Sequence, residues 1–234
     1  MRLQRLREQV LEANLELVRR GLVLYTFGNA SGIAREEGLV VIKPSGVPYE
    51  TMKPADLVVT DLEGKIVEGK LRPSSDLPTH LVLYQEFRSL GGVAHTHSEY
   101  ATAWAQARRP IPCFGTTHAD SFHGPVPVTE PLTDEEIASA YEENTGHVIV
   151  RAFAKLDPES VPAVLVANHG PFVWGADAAA AAHNAVILEA VARTAFFTQA
   201  INGGAQPVAS ALLDKHYRRK HGSQAYYGQP RKDS

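Results

Sequence analysis

Apolar residues recur along this chain at two different spacings. Leu3, Leu6, Val10, Ala13 and Leu17 fall three or four residues apart, which predicts an amphipathic helix closed near Gly21. Two hairpins follow. GIAREEGLVVIKPSG (32–46) sets two apolar runs about a polar turn with Gly38 at its end, and DLVVTDLEGKIVEG (56–69) repeats the pattern with Glu63-Gly64 at the tip. SSDLPTH (74–80) reads as a helix start, because Ser and Asp are natural N-caps and Pro78 is tolerated in a first turn.

Further on, GGVAHTH (91–97) is a strand and SEYATAWAQA (98–107) a helix, whereas IPCFGTTHADSFHGPVPVT (111–129) has too much Gly, Pro and Thr for one regular element. TDEE (133–136) is a capping box opening a helix toward Tyr141. PAVLVANHG (162–170) is an apolar strand closed by Gly170, and residues 176–200 form a long, mostly buried helix. LLDKHYRRKHG (212–222) is a charged helix. The order of elements predicts a single α/β domain over residues 1–234, with a central, mostly antiparallel sheet covered by helices.

Composition narrows the function classes. The 234 residues carry a formal charge of −3, so nothing draws the chain as a whole to nucleic acid or an anionic membrane. No run approaches the ~20 apolar residues of a membrane span, and charges interrupt the N-terminal stretch where a signal peptide would be continuous. Cys113 has no second cysteine to pair with and reads as a small packed residue. Together these predict a cytoplasmic protein.

Histidine changes the picture more. There are ten, and His80, His118, His123, His147, His183, His216 and His221 each read as surface or hydrogen-bonded side chains. His95 and His97 differ, because residues i and i+2 of a strand share a face. His169 also ends an apolar strand beside a glycine. Three imidazoles with an open position suit a catalytic Zn²⁺ better than a harder ion. Asp76 completes or orients that set, or simply caps its helix. KPSG (43–46) and PSSD (73–76) offer serine hydroxyls and backbone N–H groups to an anion, or are ordinary turns. FGNASG (27–32) adds Asn29 and Ser31 but lacks the P-loop spacing. Asp120 is a candidate general acid/base or a turn cap, and Tyr226 and Tyr227 suit packing at an interface.

Read together, GNASGI, VIKPSGV, KLRPSSDLPTHLVLYQEF, GGVAHTHSEYATAWAQA, GTTHADSFHG, HGPFVWG, AAHNAVILEAVA and LLDKHYRRKHGSQAYYGQ resemble the class II aldolase/adducin-type family over nearly the whole chain, and within it the pentulose-phosphate 4-epimerases. The resemblance implies one Zn²⁺ or other divalent ion per subunit on His95, His97 and His169, with Asp76 beside it. It implies substrate and phosphate binding by Asn29, Ser45, Gly46, Ser74 and Ser75. Asp120 matches the family's acid/base aspartate and Tyr227 its acid/base tyrosine, reaching in from a neighbouring subunit. Thr116 and Arg219 match residues lining the site across that boundary in a homotetramer.

One position departs: Asn168 stands where many relatives carry a small hydroxyl residue. The tail PRKDS (230–234) is expected to displace nothing. The implied reaction interconverts L-ribulose 5-phosphate and D-xylulose 5-phosphate. C4 is β to the carbonyl and has no acidic proton, so inversion requires cleaving and re-forming C3–C4, with the metal as Lewis acid. An aldolase acting on a related sugar phosphate such as L-fuculose 1-phosphate is the alternative, although those relatives place a glutamate where this chain has Asp76. A metal-free binding module like the adducin head fits less well with three retained histidines.

Overall fold

Seven strands form one sheet in which every neighbouring pair is antiparallel, in the order β4-β3-β2-β1-β5-β7-β6. In this computed structural model, which describes residues 2–222 and 225–228, the strands are β1 (Asn29–Ala34), β2 (Leu39–Ile42), β3 (Val58–Asp61), β4 (Ile66–Glu68), β5 (Gly92–His95), β6 (Ala163–Leu165) and β7 (Pro171–Gly175). The PRKDS tail lies outside the described residues. The helices are α1 (Gln4–Arg19), α2 (Leu77–Glu86), α3 (Glu99–Gln106), α4 (Thr116–Ala119), α5 (Asp134–Ala138), α6 (Tyr141–Ala152), α7 (Ala178–Ile201) and α8 (Ser210–Lys220).

Alternation along β1 assigns the layers. Gly32 faces Leu6 and Val10 of α1 and Ala178 of α7. Ser31, pointing the other way, bonds His80 and Tyr84 of α2 at 2.7 and 2.8 Å. The sheet is therefore covered by α1 and α7 on one face and by α2, backed by α6, on the other. Val40, Val41, Ile42, Val58, Val59, Val93 and Ala94 are fully buried between these layers, each larger side chain contributing about 1.5–3 kcal/mol.

Gly32, Gly92 and Gly175 stand opposite one another on three adjacent strands. A Cβ at Gly92 would lie 2.4 Å from the backbone of Asp177 and Ala178, and one at Gly175 2.6 Å from Ala180. This lane of missing side chains lets the start of α7 lie directly on the sheet. It also gives the central strands two distinct ends, a glycine end under α7 and a histidine end at His95.

Some elements depart from the sequence pattern. Residues 171–175 form a strand that Pro171 and Gly175 disguise. Thr133 and Glu136 make the expected capping box, with Glu136 N–H to Thr133 Oγ1 at 3.2 Å and Thr133 N–H to Glu136 Oε2 at 2.9 Å. That helix stops at Ala138, and a new one starts at Tyr141. α7 is buried only as far as Ala195. Phe196, Phe197 and Ile201 beyond it are exposed, because the sheet has ended there. Cys113 is a buried free thiol, as expected. No helix among the described residues is long and apolar enough to cross a membrane.

Candidate active site

His95 is the last residue of β5, and His97 lies in the coil beyond it. Strand alternation therefore does not aim the pair, as the sequence had suggested. The chain turns after His95 instead, and the two rings meet at an angle, with their Nε2 atoms 3.1 Å apart. His95 stacks on Phe172 of β7 at 4.2 Å, and its Nδ1–H donates to the Pro171 carbonyl at 2.9 Å. That bond fixes the tautomer and leaves the Nε2 lone pair facing inward.

His169 arrives on the tight turn between β6 and β7. Its ring centroid lies 4.8 Å from that of His95 and 5.0 Å from that of His97. One ligand atom from each of the three histidines falls within 4.8 Å of the others. Burial lowers the proton affinity of all three, and that of His169 falls to about 4, with His95 and His97 adding to the effect. Near neutral pH they are uncharged donors converging on one point, which suits a divalent metal ion with an open position.

Asp76 stands at the N-cap position of α2, but its carboxylate makes no capping bond. It accepts a 2.6 Å hydrogen bond from Asn29 Nδ2 instead. Burial works against its charge, yet His95, His80 and the Asn29 amide outweigh burial and hold the carboxyl below its ordinary range. Asn29 Nδ2 also reaches Ser74 Oγ at 3.0 Å, while its Oδ1 is buried without a partner among the described residues. The open atom of Asn29 is thus an acceptor, suited to a hydroxyl and not to a phosphate oxygen.

The two serine turns run side by side, with Ser45 N–H bonded to Arg72 O and Ser74 N–H to Lys43 O, each at 2.9 Å. Together with the histidines they line a pocket of about 410 Å³ that holds Asn29, Lys43, Ser45, Gly46, Ser74, Ser75, Asp76, Tyr141 and Glu142. Ser45 and Ser75 present exposed hydroxyls, whereas Ser74 is buried and committed to Asn29 and Asp76.

Sequence reasoning missed Lys43. It is only 2% exposed. Its ammonium donates to Pro44 O at 3.2 Å and lies 4.6 Å above the Tyr49 ring. Desolvation lowers its pKa to about 8. Among the described residues no carboxylate pairs with it. A buried cation lining a pocket without a counter-charge calls for an anionic ligand. The signal was present in the sequence as the lysine that follows an apolar strand and opens KPSG. Tyr141, whose hydroxyl lies 3.3 Å from His169 Nδ1, gave no such signal.

The other sequence candidates assemble elsewhere. Asp120 takes Arg219 Nε at 2.9 Å and Nη2 at 2.6 Å, His216 Nδ1 at 3.0 Å and Lys220 Nζ at 3.3 Å. Burial acts to raise its pKa, but Arg219, His216 and Lys220 outweigh that and hold it at about 2. Arg219 and Lys220 in turn lie 4.9 and 4.5 Å from the Tyr227 ring centroid. Thr116 sits one helical turn before Asp120, its backbone carbonyl accepting the Asp120 N–H at 2.9 Å.

This cluster borders a second pocket of about 440 Å³ lined by Leu90, Trp174, Gly175 and Ala176, at the glycine end of the sheet. The histidine pocket lies at the other end of β7, a strand length of roughly 13 Å away. One chain thus brings Asp76, Asn29 and the serines to the three histidines, and does not bring Asp120, Thr116, Arg219 or Tyr227 there.

The chain is similar to known proteins in sequence and in fold. The family described as Class II Aldolase and Adducin N-terminal domain matches residues 8–196. The L-ribulose-5-phosphate 4-epimerases UlaF of Salmonella paratyphi A and Salmonella typhi are each 56% identical over 227 residues, 97% of this chain and all of theirs. Among solved structures, an L-fuculose 1-phosphate aldolase superposes with a TM-score of 0.78 at 26% identity, covering 92% of this chain and 95% of its own. The L-fuculose-1-phosphate aldolase of Thermus thermophilus gives 0.67 at 26% identity, over 87% and 99%.

Proposed function

The chain belongs to the class II aldolase and adducin family, and from that premise we propose that it is an L-ribulose-5-phosphate 4-epimerase, active in the cytoplasm as a single-domain subunit of a homotetramer. One observation carries this reading. A cluster of three neutral histidines and a buried Lys43 that meets no carboxylate among the described residues face the same pocket, as a sugar with a carbonyl at one end and a phosphate at the other requires.

His95, His97 and His169 would hold one Zn²⁺, with Asp76 beside it. Such an ion supplies Lewis acidity at the ketose oxygens. The remaining work falls to side chains of the protein. Lys43, the Ser45 and Ser75 hydroxyls and the Gly46 N–H hold the phosphate of the C4–C5 fragment. Asn29 orients Asp76 and offers its carbonyl to a substrate hydroxyl. Loss of the C4 hydroxyl proton accompanies cleavage of C3–C4, giving an aldehyde and an enediolate. The aldehyde turns about its anchored phosphate, C3–C4 re-forms on its opposite face, and a proton returns to the new C4 oxygen.

Two faces require two proton-transfer groups, and Asp120 and Tyr227 are the candidates. Their place at the far end of the sheet supports a site shared between subunits. Both flank Arg219 in one chain, so this reading takes both from the same neighbour. The aldolase alternative fits the solved structures at 26% identity, but the relatives at 56% over full length are epimerases. Incubation with L-ribulose 5-phosphate tests the proposal. An epimerase yields D-xylulose 5-phosphate without releasing fragments, and an aldolase releases free aldehyde.

A further inference from the structure

The turn that carries His169 is built around a backbone conformation that few residues accept. His169 N–H donates to Val166 O at 3.0 Å and Val166 N–H to Gly170 O at 2.9 Å. Within this turn Asn168 has φ of 62°, a left-handed value that glycine and asparagine tolerate best. The turn also lies along α3. Asn168 N–H donates to Ala105 O at 3.0 Å, and its side-chain Oδ1 accepts Arg108 Nε–H at 3.0 Å. Arg108 has a left-handed φ of 52° where the chain leaves α3. At the other end of the turn, a Cβ on Gly170 would lie 2.8 Å from Thr96 O, 3.5 Å from Thr102 and 3.6 Å from the His97 ring.

α3 begins two residues after His97 and ends under Asn168. The same helix therefore touches both segments that supply histidines outside β5. Ala105 O serves as a shared anchor, accepting from Arg108 N–H at 3.1 Å as well as from Asn168. We propose that Asn168 and Arg108 are positioning residues. Their side-chain bond latches the His169 turn onto the C-terminal end of α3 and so sets the distance of His169 from His97. This rests on the three-histidine reading of the metal site, but its test reads metal affinity and not turnover. It also gives Asn168 a physical reason: glycine would accept this φ without a side chain, whereas asparagine accepts it and also offers a carbonyl that Arg108 Nε reaches.

The test uses the full-length chain stripped of metal, with Co²⁺ titrated against a chelating dye and the visible absorption of bound Co²⁺ recorded. Arg108→Ala removes the latch alone. Asn168→Gly removes the latch and keeps the turn, while Asn168→Ser removes the latch and strains φ. A hydrogen bond of this kind predicts that Arg108→Ala and Asn168→Gly each weaken Co²⁺ binding about three- to tenfold. Asn168→Ser should weaken it about tenfold or more, within the range seen when groups supporting a metal ligand are lost. The Co²⁺ band should shift in all three, and the melting temperature of the metal-free chain should stay within a few degrees of the parent.

The double variant Arg108→Ala/Asn168→Gly should lose no more than either single one, because the same bond is gone. Affinities within about twofold of the parent in both single variants would overturn the proposal. So would losses that add in full in the double variant. Should metal-free melting collapse in Asn168→Ser, the Arg108→Ala and Asn168→Gly pair still decides. If no variant, nor the parent, binds Co²⁺, it is the three-histidine reading that fails.

Discussion

Replacing Lys43 by methionine should separate phosphate recognition from folding, because the two effects have opposite signs. The lysine is depressed by desolvation from its ordinary 10.5 to about 8. A shift of that size corresponds to about 3 kcal/mol, reduced to about 2 kcal/mol by solvent screening at the open side of the pocket. Below pH 8 the folded and unfolded lysine are both protonated, and this cost is present in full. Between pH 8 and 10.5 the folded lysine loses its proton while the unfolded one keeps it, so the unliganded chain gains stability across that window.

Lys43→Met removes the charge and keeps most of the packing over Tyr49. Urea unfolding of the unliganded variant should therefore show equal or greater stability at pH 7, by up to about 2 kcal/mol, and no rise between pH 8 and 10.5. Binding should move the other way. A hydrogen bond to a charged group is worth about 1.5–3 kcal/mol, so KM for the phosphorylated ketose should rise about tenfold to a hundredfold. Phosphate-free L-ribulose should be handled much as before. In the parent, kcat/KM should fall above pH 8 as Lys43 deprotonates, and this limb should vanish in the variant. Equal losses on both sugars, or a variant less stable at pH 7, would refute the reasoning.

The remaining expectations concern the metal, the serine turns and assembly. His95→Ala, His97→Ala and His169→Ala should each abolish metal retention in elemental analysis together with activity, and full occupancy in all three would remove the site assignment. Ser45→Ala and Ser75→Ala should raise KM about tenfold or more for the phosphorylated sugar only. Ser74→Ala, which unties Asn29 and Asp76, should lower kcat as well, so identical profiles for all three serines would contradict the division drawn between them. Asp120→Asn and Tyr227→Phe should each lower turnover by ~10²–10⁴-fold. Mixing these two variants should restore little, because both groups flank one Arg219. Mixing either with His97→Ala should restore about a quarter of the sites in a randomly exchanged ring. Recovery from the first mixture and none from the second would contradict delivery of both groups by one neighbour.

Much of this was legible in the sequence where a local pattern has a local cause. The amphipathic period of α1, the Gly38 and Gly64 turns and the Thr133 capping box each depend on neighbours within a few residues, and each appeared as expected. His95, His97 and His169 stood out because each lies at or just past the end of an apolar run, and the structure brings the three together. What sequence could not supply is pairing across the fold. The glycine lane under α7 exists only because β1, β5 and β7 lie side by side. Lys43 is informative because among the described residues no carboxylate pairs with it, and sequence does not show absence of a partner. Asp120 sits among cations from α8, roughly a hundred residues away in the chain, at the opposite end of the sheet from the histidines.

The central claim is that the chain inverts C4 of a phosphorylated pentulose by breaking and re-forming C3–C4 without releasing either fragment. The most direct measurement follows L-ribulose 5-phosphate labelled with ¹³C at C3 and C4, by NMR, in the presence of the Zn²⁺-loaded enzyme. The account predicts conversion to D-xylulose 5-phosphate with the C3–C4 coupling intact in the product, even when unlabelled glycolaldehyde phosphate is added in excess. Accumulation of free dihydroxyacetone and glycolaldehyde phosphate, or loss of the coupling by exchange with the unlabelled aldehyde, would contradict it and identify an aldolase.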